Sequence, residues 1–136
     1  MLDDPLVQRF EAATVDPAAF HHREHLYVAF CYLRALPLEE ALARFVKHVR
    51  KFAERAGAPQ KYHATVTWAY LVLLHEAMHD SKFAHASFDE LLAAYPALLD
   101  SQGGILFDYY DKLELASDAA RRHFVLPRVR RRDSTT

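Results

Sequence analysis

Apolar residues recur at helical spacing along this chain, and most densely from Tyr62 to Asp80, YHATVTWAYLVLLHEAMHD. Projected at about 100° per residue, His63, Val66, Thr67, Tyr70, Leu74 and Ala77 share one face. Trp68, Val72, His75 and His79 gather on another, which leaves only a narrow polar strip at Thr65, Glu76 and Asp80. A helix that is apolar nearly all round is enclosed by its neighbours, so this pattern predicts a buried central helix over about 62–80. Its uninterrupted apolar run is too short, and its ends too rich in His and acid, to cross a bilayer.

The flanking segments read as shorter helices around that centre. Asp3 or Asp4 can cap a first helix with Pro5 in its opening turn, running to about Ala13. A connection containing Asp16-Pro17 follows. A second helix is predicted from near His21 to Leu36, where Pro37 stops it. Its inward stripe is His22, Leu26, Ala29, Leu33 and Leu36, with His25 and Phe30 at the edges and Arg23, Glu24 and Tyr27 pointing away. Leu38, Leu42, Phe45, Val49 and Phe52 keep helical spacing in a third helix that Gly57 and Pro59 end. Ser87-Phe88-Asp89-Glu90 is a capping box before a further helix, and Pro96 kinks or restarts it. Gly103-Gly104 separates it from a segment at Ile105 to Leu113, and Ser117 caps a last short helix that ends before Pro127. The expected fold is all-α: one bundle of five to seven helices, with residues 1–127 as the helical domain.

Composition agrees with that reading and narrows the class. The chain has 136 residues, 51% hydrophobic and 26% charged, with only three glycines, so helices are favoured throughout. One cysteine, Cys31, excludes an internal disulfide and suits a reducing, cytoplasmic setting. The opening MLDDPL lacks the basic-plus-apolar pattern of a secretion signal. Net charge is −1, but residues 121–136 hold six arginines against one acid. Residues 128–136 are therefore expected to form a basic, disordered tail. No aromatics are interleaved with RVRRRDSTT, so nucleic acid is not the expected partner.

The histidines carry the candidate chemistry. His22 and His25, spaced i, i+3, lie on adjacent turns of one face, close enough to bind one metal or bracket one ligand. If the third helix is a return stroke, the second and fourth run the same way, and His63 lies level with that pair. Three histidines at one end of a bundle make a plausible metal site with open positions, or an acid/base site. The competing expectation is that they only satisfy buried backbone groups. His75 and His79 form a second pair whose letters, HEAMH, fit H-E-x-x-H. A zinc protease also needs a third ligand, for which His85 or acids such as Asp89 and Glu90 are candidates, and a surface or edge pair is the expectation. Cys31 lies opposite the inward stripe and is not expected to act as a nucleophile. Trp68 and Tyr109-Tyr110 read as core aromatics.

The blocks FHHREHLYVAFCYL, KYHATVTWAY and LFDYYDKLELASDAARRHFVLP resemble a family of small uncharacterised bacterial all-helical proteins. That family's pattern is F-x-H-x-x-H-L, then Y-H-x-T-x-T, then Y-Y followed by A-R and a proline. The resemblance spans Phe20 to Pro127 and carries over Phe20, His22, His25, Tyr62, His63, Thr65, Thr67, Tyr109, Tyr110 and Arg121. Asp111 stands where a serine is expected and Arg128 where an acid is expected. The resemblance implies a shared site on His22, His25 and His63 but supplies no activity.

These readings converge on a cytoplasmic helical protein with a polar pocket. His22, His25 and His63 either ligate a divalent metal, zinc or iron, or act as catalytic acid/base groups on a small molecule. Tyr62, Thr67 and Phe20 would contact that ligand. The alternative is a non-enzymatic binding or adaptor protein with structural histidines, acting through its Arg-rich C-terminus or an exposed helical face.

Overall fold

Local capping signals set most of the helix boundaries. Asp4 accepts the Leu6 N–H at 2.8 Å and starts α1 (Pro5–Glu11), which ends where Ala13 turns left-handed at φ 60°. Asp16 caps a 3₁₀ turn, Pro17–Ala19, that delivers the chain to α2 (His22–Ala35). There the Glu24 carboxylate accepts the His21 N–H at 2.8 Å, and Pro37 separates α2 from α3 (Leu38–Arg55). Gly57, at φ 74°, supplies the reversal that ends α3. A 3₁₀ turn, Pro59–Lys61, leads to α4 (Ala64–Met78). The Ser87/Glu90 box starts α5 (Phe88–Ala94), with 2.8 and 3.1 Å bonds in the two directions. Pro96 begins a separate 3₁₀ turn, Pro96–Leu99, instead of continuing α5. After another, Gly104–Asp108, come α6 (Lys112–Ala116) and α7 (Asp118–Arg122).

The computed structural model describes residues 1–100 and 104–128, and among them are seven α-helices and no strand. The expected tail, apart from Arg128, and Gly103 lie outside the described residues. Among the described residues no helix is long and apolar enough to cross a membrane.

α2, α3 and α4 touch one another pairwise and form the core, with α7 on the far side of α4. α4 has the expected nearly all-round apolar surface, but Val72 and Glu76, one turn apart, face out. α2 is wrapped at least as fully: every residue from Val28 to Leu33 is buried. Cys31, expected opposite the inward stripe, has no exposed surface. Tyr27, expected to point away, is half-buried, bonded to Asp4, with its ring 5.2 Å from Phe88. Thr65, expected on the polar strip, is fully buried. Its hydroxyl donates to the Ala120 carbonyl at 2.7 Å and accepts the Val125 N–H at 3.1 Å, which ties α7 and the segment after it to α4.

Candidate functional site

The opening turns of α2 and α4 meet around one cavity of about 200 Å³, closed on its third side by Phe45 and Val49 of α3. His22, His25, His63, Tyr62 and Thr67 all line it, together with Tyr70 and Lys61. Phe20 lines an adjoining groove that shares His25, Val49, Lys61 and Tyr62 with the cavity, so the two spaces are separated only by that wall.

The three histidines differ sharply in what holds them. His63 is the N-cap of α4 instead of lying within the helix. Its Nδ1 accepts the Val66 N–H at 3.1 Å, and its Nε2–H donates to the Leu115 carbonyl at 2.7 Å. Both nitrogens are engaged, which fixes the ring's orientation and tautomer. His22 donates its Nε2–H to the Leu98 carbonyl at 2.7 Å, which leaves Nδ1 as a lone-pair nitrogen. Its ring stands edge-on to Tyr70 at 4.8 Å, and Tyr70 in turn donates to the Asp100 carbonyl at 2.8 Å.

His25 has no side-chain hydrogen bond to any described residue. Its imidazole sits in a cage of phenyl rings: Phe20 at 4.6 Å and Phe52 at 5.5 Å, with Phe10 and Phe45 just beyond at 6.3 and 6.5 Å. Burial among these rings lowers its pKa to about 4, His22 adds to the effect, and Glu24 only partly opposes it. At neutral pH it is therefore an uncharged imidazole facing empty space. Thr67 donates its hydroxyl to the His63 carbonyl at 2.7 Å. Burial raises the pKa of Tyr62, against the pull of the Arg50 guanidinium 5.4 Å over its ring, so the hydroxyl stays a donor.

A zinc or iron centre on His22, His25 and His63 does not fit this donor set. His63 has no lone pair left, and among the described residues no group of three or more His, Cys, Asp or Glu is placed to hold a metal ion. The trio shares a cavity, as the same-direction packing of α2 and α4 requires, but not a coordination sphere. His75 and His79 lie with ring centres 4.2 Å apart, and His79 donates from Nδ1 to the His75 carbonyl at 2.9 Å. Of their suggested third ligands, Asp89 is engaged with Arg23 at 2.5 Å and Glu90 in its capping box, and among the described residues no group of three or more His, Cys, Asp or Glu forms around the pair.

Sequence reasoning missed Tyr70 and Lys61 as lining residues. Tyr70 lies two turns after His63 on the same helical face, a usable signal; Lys61 sits in the 3₁₀ turn, where no periodicity marks it. No family model, curated protein or solved structure matches this chain.

Proposed function

We propose that this protein binds a small organic molecule in the α2/α3/α4 cavity, with His25 as the polar group that holds it and, where the ligand supplies a proton, accepts that proton. The observation carrying this reading is the unpartnered His25 ring, facing a cavity from inside a phenyl cage. Neither nitrogen of the His25 ring has a partner among the described residues, so both are open to a ligand, and a bond there gains specificity because the remaining wall is mostly apolar. His22, fixed by Leu98, orients its free Nδ1 as a second acceptor; His63 serves as the structural cap that keeps the opening turn of α4 in place. A cytoplasmic setting goes with this reading, since Cys31 is buried and unpaired.

Ligand-observed NMR with a panel of ring-sized organic molecules, on wild type and His25→Leu, tests it. Binders whose signal disappears in a His25→Leu protein of native far-UV circular dichroism are expected. If every binder is retained by the variant, His25 is not the holding group; if none binds the wild type, the cavity is not a ligand site.

A second reading, action by docking on a protein partner, is favoured by a groove where Val72, Tyr109 and Leu126 are 37%, 45% and 76% exposed. Such patches mark contact surfaces when they are contiguous. Loss of biological effect on Tyr109→Ser with small-molecule binding intact would select it.

A further inference from the structure

We infer that the occupant of this cavity is a small organic monoacid, its apolar, ring-sized body among Leu26, Phe45, Val49 and Leu71 and its carboxylate at the Lys61 end. The inference rests on the reading above that the cavity is a ligand site, and adds the ligand's chemical class.

Size comes first. The cavity measures about 200 Å³. An apolar cavity of about 150 Å³ accommodates benzene, so a single ring or a short branched chain fits here. Charge comes second. Neither the cavity nor the adjoining groove has an Asp or Glu in its lining, which leaves a cationic ligand without a counter-charge. Lys61 lines both spaces and is itself exposed, which places its ammonium at an opening. Arg50 lies over the outer side of Tyr62 at 5.4 Å. Neither Lys61 nor Arg50 forms an ion pair among the described residues.

One helix end acts in the same direction. α4, of 15 residues, brings its N-terminal turn to the cavity with roughly half a positive charge and no acid in that turn, whereas the N-terminal turn of α2 is already offset by the Glu24 carboxylate. Hydrogen-bond donors come third. The Tyr62 hydroxyl has no hydrogen-bond partner among the described residues, and the neutral His25 ring can present an N–H to an acceptor. One lysine, one hydroxyl and one imidazole suit a carboxylate. A phosphate would call for a denser set of donors, of the Arg-fork or backbone-nest kind, than this mostly apolar wall offers.

The test is titration of the full chain, without an affinity tag, followed by ¹H–¹⁵N NMR at pH 7. Benzoate is compared with benzamide, and hexanoate with hexanamide, so that body shape does not decide the result. The acids are expected to move the amides of 22–26 and 61–67 and to bind about tenfold tighter than their amides, the increment of one charge-assisted bond. Lys61→Met is expected to weaken the acids by about tenfold while leaving the amides within about twofold, and Lys61→Arg to restore most of the loss. Amides that bind as tightly as acids, or acids indifferent to Lys61→Met, overturn the monoacid inference while the cavity remains a ligand site. If none of the four probes shifts a cavity resonance, both the inference and the ligand-site reading fall.

Discussion

The imidazole of His22 and the main chain of Leu98, 76 residues apart, are joined by a 2.7 Å hydrogen bond. Tyr70 makes the matching bond from α4, reaching the Asp100 carbonyl at 2.8 Å with its ring 4.8 Å from that of His22. Two helices therefore hold the same short stretch of backbone, the end of the 3₁₀ turn Pro96–Leu99 and Asp100 after it. His22→Phe and Tyr70→Phe are each expected to cost about 1 kcal/mol, and amide exchange at 97–100 should quicken in both. Because both side chains restrain the same stretch, a double-mutant cycle in urea is expected to give a coupling of about 0.5 kcal/mol or more. Strictly additive costs would mean the two anchors act independently.

Thr65 is the buried hinge-pin between α4 and the C-terminal part of the described chain. Thr65→Val keeps its shape and removes the hydroxyl, which leaves the Val125 N–H and the Ala120 carbonyl without their partner. A loss of about 2 kcal/mol is expected, with faster amide exchange at Val125, whereas Thr65→Ser should keep most of the stability. Equal stability of the Val and Ser variants in urea denaturation would show that the hydroxyl is not what holds this segment.

The Glu11 carboxylate collects donors from two other helices. Arg44 of α3 binds it through Nε at 2.6 Å and Nη2 at 2.8 Å, and the fully buried Tyr32 of α2 donates its hydroxyl at 2.5 Å. The Arg44 bonds hold the Glu11 pKa below its usual value, against the opposing effect of burial, and raise that of Arg44 in return. A depressed carboxylate stabilises the fold above its unfolded pKa of 4.5, and that contribution disappears as pH falls through the lower folded value. Glu11→Gln is expected to cost about 2 kcal/mol at pH 7, where the charge-assisted pair is intact. The cost should shrink at pH 3, and urea denaturation at both values checks it. A cost independent of pH would mean that shape, not charge, matters there.

The parts legible in the sequence are those set by neighbours in the chain. The Ser87/Glu90 and Ser117 caps, the break at Pro37 and the apolar wheel of α4 depend on residues a few positions apart, and the structure has them where those residues stand. Asp111 and Glu114 carry the same kind of capping signal and start α6 at Lys112, inside what the sequence reading takes as one segment from Ile105 to Leu113. The burial of Phe30 on α2 involves Phe88, whose ring lies 5.4 Å away, and no periodicity within α2 encodes that cover. The same limit applies at the site. Helix count and spacing put His22, His25 and His63 in one cavity. What separates them is that carbonyls at Leu98 and Leu115 reach two of the rings and none reaches the third, and nothing local to the histidines announces it.

That difference gives His25 a signature in the pH dependence of stability. Its pKa in the folded protein is about 4, against 6.5 for an unperturbed histidine. Between those values the unfolded chain binds a proton that the folded chain refuses, so stability falls as pH drops through that window and levels off below it. From pH 7.5 to pH 5 the loss attributable to His25 alone is about 2 kcal/mol. Burial also lowers the pKa values of His48 and His75, so they add losses of the same sign, and subtracting a His25→Phe variant isolates the His25 part. Phe suits a site already walled by phenyl rings, so the variant is expected to stay folded and to show a shallower pH profile than wild type in urea denaturation. Parallel profiles for the two proteins would mean that the imidazole titrates as it does in water, and with that would go the desolvated, ligand-facing ring on which the proposed function depends. A carboxylate bound beside His25 favours its protonated form, so saturating benzoate is expected to raise the His25 pKa and flatten the wild-type profile, an effect absent from His25→Phe.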